Sequence, residues 1–196
     1  MKYAGALLAL GFVACSFGRV DAEPVFADSL CPEASQYVSA AGKLRRDDSP
    51  QHVYDVAQPV VNAYEVCSKR MLSNGSHEPQ HYADTRAAQF AVLASRALIA
   101  MNRLDDAKRE LSHWRPYVQQ VVDWTAEAET SKSGHAGFDP STNGADNRRQ
   151  SLYHDSAKDI VAAIDTELAR IDALNRDATR PQAQPASPAP HVRGVS

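Results

Sequence analysis

His77-Glu78-Pro79-Gln80-His81 satisfies the H-E-x-x-H pattern. On a regular helix, residues four apart share a face, so His77 and His81 would ligate a zinc ion while Glu78 activates a bound water. That chemistry needs an unbroken helix. Ser73-Asn74-Gly75-Ser76 directly precedes the segment, and Pro79 stands at its centre. Proline lacks a backbone donor and pushes the residue before it away from helical angles. The pattern therefore predicts a turn ending at Glu78 and a helix beginning at Pro79, with His77 outside. On that expectation no metal is bound and no cofactor is required; His77 and His81 remain the metal candidates.

Other reactive residues are more scattered. His154-Asp155, with Asp159 one turn further on, offers a metal or acid/base group, and a solvated helix face is the plainer explanation. Trp114, Tyr117 and Trp124 would make an aromatic platform for a ligand, although Trp114 also falls on an apolar stripe that core packing explains. Asn74-Gly75-Ser76 is a glycosylation acceptor where the source glycosylates exported chains. The sequence has no glycine-rich phosphate loop, G-x-S-x-G elbow or Cys-x-x-Cys pair. No catalytic residues are expected, and the chain is expected not to be an enzyme.

Cys15, Cys31 and Cys67 must be read with the N-terminus. Lys2 supplies a positive start, and the run from Ala4 to Ala14 is apolar but too short to span a bilayer comfortably. Val20-Asp21-Ala22 places small residues three and one positions before Glu23. This is the grammar of a secretory signal cleaved between Ala22 and Glu23. A second route is open, because Phe12-Val13-Ala14-Cys15 resembles a bacterial lipobox, which would lipidate Cys15 and anchor the chain at the envelope. Either route leads to export, periplasmic or secreted, and leaves Cys31 and Cys67 in oxidising surroundings that favour a disulfide. No later segment is apolar enough to cross a membrane.

The periodicity predicts helices throughout. The first reads from Pro32 to about Arg46, with Tyr37, Val38, Ala41 and Leu44 as its apolar face. Ser49-Pro50 supplies an N-cap and first residue for a second, whose stripe is Val53, Val56, Val60, Tyr64, Cys67 and Met71. Pro59 should kink it, and Ser73-Asn74-Gly75 should stop it. The third runs from Pro79 to Asn102 with Ala83, Ala87, Phe90, Ala94, Ala97 and Met101 on one face. The fourth starts at Asp105 and carries Ala107, Leu111, Trp114, Val118, Val121 and Val122, with Pro116 as a kink or fresh first turn. Residues 131–147 read as a long exposed loop. The fifth carries Tyr153, Ala157, Ile160, Ile164, Leu168, Ile171 and Leu174.

The disulfide has a spacing test. With a turn centred on Asp48, Cys31 and Cys67 both lie roughly 25–29 Å from it at 1.5 Å per helical residue, level across an antiparallel hairpin. Two unpaired core cysteines are the alternative.

Ala91, Ala94, Ser95 and Leu98, followed by Asn102, Leu104 and Ala107, resemble the first helix, turn and second helix of a tetratricopeptide repeat. The likeness covers about 20 residues, with Ala91 where that family often has tryptophan and no second copy at a 34-residue period. It implies a helical hairpin and a repeat-type binding surface.

The expected fold is all-α: about five helices, two antiparallel hairpins plus a C-terminal helix, as a bundle or a short superhelix. Residues 1–22 form the signal, 23–176 the helical domain, and 177–196 a disordered tail rich in proline and alanine. A formal charge of −3 lacks the basic footprint of a nucleic-acid binder. The expected partner is a protein or peptide, with a zinc hydrolase and a lipid-anchored envelope component as the alternatives.

Overall fold

The structure, a computed structural model, describes residues 30–133 and 140–179, and within them no side chains at 77–78, 125–133 and 140–154. Five helices follow one another: α1 (Pro32–Ala41), α2 (Pro50–Ser73), α3 (His77–Ala100), α4 (Leu104–Ser133) and α5 (Pro140–Thr179). There is no strand among the described residues. Each helix packs antiparallel on the next, and α3 also touches α5, so α3, α4 and α5 form a mutually packed trio. The α2–α3 interface is the most extensive.

The apolar stripes become the core. Val60, Tyr64, Cys67 and Met71 of α2 are buried, as are Ala83, Ala87, Ala94 and Ala97 of α3. Ala107, Leu111, Trp114, Val118 and Val121 of α4 are buried in the same core as Ala157, Ile160, Ile164 and Ile171 of α5, on which α4 packs. The alanines on α3 let neighbouring backbones approach closely, which suits a helix flanked by three others.

The helix ends follow local chemistry. Ser49 caps α2 by accepting from the His52 backbone N–H at 3.2 Å. At the other end Gly75 adopts φ 70°, with Ser76 N–H bonded to Met71 O and Gly75 N–H to Leu72 O, the paired bonds of a Schellman motif. Asn102, at φ 58°, closes α3 in the same way through Arg103 N–H to Leu98 O. α2 continues through Pro59 and α4 through Pro116.

Four expectations are corrected. α1 stops at Ala41 rather than Arg46, because Gly42 follows and Asp48 then folds the chain back by accepting from the Arg45 N–H at 2.7 Å. α3 begins at His77, two residues early: Pro79 falls at its third position, where no intrahelical donor is needed, and the first helical bond is Gln80 N–H to Ser76 O. The predicted loop at 131–147 is mostly helical, since α4 reaches Ser133 and α5 starts at Pro140, a residue suited to a first helical position. α5 continues past Arg176 to Thr179. Residues 180–196 of the predicted tail, and the signal segment with Cys15, Ala22 and Glu23, lie outside the described residues.

Candidate functional site

Helix α1 is short and meets α2 with a covalent bond at one end and an open groove beside it. Cys31, the N-cap of α1, is joined to Cys67 of α2 with the Cα atoms 5.5 Å apart. Both cysteines are buried. The expected disulfide is therefore present. Around it, Arg70 donates from Nη2 to the Leu30 carbonyl at 2.7 Å and from Nε and Nη2 to the Glu33 carboxylate at 3.2 Å. Its Nη2 also lies 3.7 Å from Cys67 Sγ.

One turn from the disulfide, a groove of about 440 Å³ opens between α1 and α2. Tyr37, Pro59, Ala63 and Val66 supply apolar walls, and Glu33, Gln36 and Asn62 supply the polar ones. Val66 is 58% exposed and Tyr37 37%. Tyr37 thus turns outward from the face assigned to it, while Ala34 takes the buried place and Val38 and Ala41 are half-buried. Arg70 neutralises Glu33. Asn62 Oδ1 accepts from Gln58 Nε2 at 3.3 Å, which leaves the Asn62 amide protons to donate outward. The groove is neutral, mostly apolar and edged with the carboxamides of Gln36 and Asn62.

Between α2 and α3 lies a buried polar cluster. Ser68 Oγ donates to Asp84 Oδ1 at 2.5 Å, and Gln80 Nε2 donates to Asp84 Oδ2 at 3.3 Å. Asp84 is 2% exposed. Burial raises its carboxyl pKa above the ordinary value, and the bonds from Ser68 and Gln80 oppose that shift. On the far side of the molecule Arg115 and Asp165 form a two-pronged pair that lowers the pKa of Asp165 and raises that of Arg115.

The residues singled out from sequence disperse. His77 and His81 share helix α3, and the His81 ring packs 5.0 Å from Trp124 of α4. No group of three His, Cys, Asp or Glu side chains placed to hold a metal occurs among the described residues, which exclude the side chains of His77 and Glu78. Trp114 is buried with Tyr117 5.7 Å away, while Trp124 pairs with His81, so the three aromatics make no common platform. Asp155 and Asp159 are exposed; the His154 side chain lies outside the described ones. Asn74 is exposed in the α2–α3 turn. The groove was missed because its residues come from two helices; an apolar Val66 off the α2 stripe was its one sequence signal.

No family model, curated protein or solved structure matches the chain. No helix among the described residues is long and apolar enough to cross a membrane.

Proposed function

We propose that the chain is an exported, non-catalytic module that binds a protein or peptide partner in the α1–α2 groove. The observation that carries this is the pairing of Tyr37 and Val66, two exposed apolar side chains on the walls of one neutral cleft whose helices are covalently joined. Apolar surface kept in water has a cost that a partner relieves, and a cross-linked groove loses little freedom on binding. Carboxamides at the edge satisfy the backbone of an incoming segment without demanding charge. Export is supported by the signal grammar around Ala22 and by a cysteine pair suited to oxidising surroundings. The hairpin formed by α3 and α4, capped by α5, agrees with a repeat-type binding scaffold.

A photoreactive residue at Gln36 tests the reading in the native compartment. The expected result is a discrete adduct that disappears when Val66→Asp is added while the helical content is kept. An adduct pattern identical to that from the same probe at Asp159, exposed on α5, would count against it.

A zinc hydrolase is the second reading, and one observation favours it: α3 starts early enough to include His77 as well as His81. Metal analysis separates the two. Stoichiometric zinc that is lost in His81→Ala would replace the binding module by the hydrolase.

A further inference from the structure

Besides the disulfide, helix α1 is held by a thin apolar contact, Ala34 buried and Leu30, Val38 and Ala41 half-buried against α2. It has ten residues, and isolated helices of that length are marginal in water. Its extensive neighbour is α2 alone, and its one fully buried side chain within the helix is Ala34. The Arg70–Glu33 pair is solvent-exposed and screened. The helices behind it carry their own large interfaces, α2 on α3 and α3 on α4 and α5.

Once the bond is open and the first turn of α1 has moved, two neighbours favour the reduced pair. Cys31 occupies the N-terminal end of α1, where the helix dipole stabilises negative charge, and Cys67 has the Arg70 guanidinium at 3.7 Å. Both effects stabilise the reduced pair and so make the disulfide easier to reduce than an inert staple. The sulfurs are also buried, Cys31 at 1% and Cys67 at 0% exposure, so attack must follow opening of the first turn of α1.

We propose that Cys31–Cys67 is a redox latch that docks α1 in the oxidised chain and, when a dithiol reductant opens it, releases α1 and dismantles the groove while α2 to α5 persist. Its consequence for binding rests on reading the groove as the partner surface; the latch itself does not. A reductant thiolate attacks Cys31 Sγ, a mixed disulfide forms, and the electron pair of the broken bond leaves on Cys67 Sγ beside Arg70. The second thiolate of the reductant then attacks its own bridged sulfur, releasing the Cys31 thiolate. The reductant departs as a disulfide, two electrons pass to the protein, and both thiolates take protons from water according to pH.

Hydrogen exchange on the full chain, before and after treatment with dithiothreitol, tests this without any partner. Residues 32–41 should lose protection by roughly five-hundredfold, in line with removal of a cross-link closing a loop of this size, while 50–73 and 77–100 keep theirs. The double variant Cys31→Ser, Cys67→Ser should reproduce the reduced pattern with no reductant present. Undiminished protection of residues 32–41, or loss of protection in all helices together, overturns the latch. Arg70→Met should shift the equilibrium against glutathione about tenfold toward the disulfide, about 30 mV; an unchanged equilibrium removes Arg70 from the device.

Discussion

Arg96 Nε donates to Glu167 Oε1 at 2.7 Å across the interface between α3 and α5, 71 residues apart in the chain. Glu167 is 5% exposed and takes a second, longer bond from Arg170 at 3.4 Å. A carboxylate so far from water requires its partners, because desolvation without them costs more than the pair returns. The bond therefore fixes where along α3 the long α5 can rest. The apolar stripe of Ile160, Ile164 and Ile171 supplies the attraction, and the charge pair supplies the register.

Glu167→Ala should destabilise the domain by about 2 kcal/mol, between the values typical of exposed and fully buried pairs, because Arg96 is left half-buried without its acceptor. Urea unfolding of Glu167→Ala, Arg96→Ala and the double variant checks it. The double variant should be less damaged than the sum of the singles. Strict additivity would mean that the contact carries no energy.

Replacing Cys31 and Cys67 together by Ala should cost about 4 kcal/mol of the stability with which α1 is held, a figure from loop-closure entropy for this 36-residue separation. Because the opening is local, the loss should be seen in α1 and little in the main unfolding transition. Chemical denaturation followed by tryptophan fluorescence, from Trp114 and Trp124 of α4, should move far less than exchange at residues 32–41. An equal shift in both would mean that α1 is part of the cooperative core.

Helix phase was legible in the sequence because one-sided burial imposes it. Val60, Tyr64, Cys67 and Met71 recur at helical steps, and all four are buried. The disulfide was legible for a partly mistaken reason. α1 supplies only about 15 Å between Cys31 and Ala41, against about 26 Å from Pro50 to Cys67, so residues 42–49 climb the remaining distance that a longer α1 was expected to cover. The antiparallel register survives the wrong helix end. Boundaries were harder to read: Pro79 looks like a first residue in sequence, and only the bond from Gln80 N–H to Ser76 O shows it to be the third. Leu174 keeps the α5 period yet is 40% exposed, since Lys108 pairs with Asp172 close to the start of α4 and α5 then outruns its neighbour. Contacts between distant segments, such as the groove and the Ser68–Asp84 bond, have no periodic signature to find.

The mature N-terminus separates the two export routes. Mass spectrometry of the chain from its native compartment should show a start at Glu23. Acyl mass on Cys15 would instead make the chain an anchored lipoprotein, with the groove held near a membrane surface.

Asp84 gives the stability profile a sign opposite to that of the surface carboxylates. Asp165 and Asp172 have lowered pKa values, through bonds from Arg115 and Lys108 respectively, so what they contribute is present above the ordinary carboxylate range and lost as pH falls. Asp84 has a raised value, through burial first, so its contribution is complete below the unfolded value of 3.8 and is lost as pH rises through the folded one. Asp84→Asn keeps an acceptor for Ser68 and removes the charge. Subtracting wild-type from variant stability isolates this group from the others. The difference should grow in favour of the variant between acid and neutral pH, measured by urea unfolding at each pH. A difference that stays flat across that range would show that Ser68 and Gln80 fully offset the burial of the carboxylate.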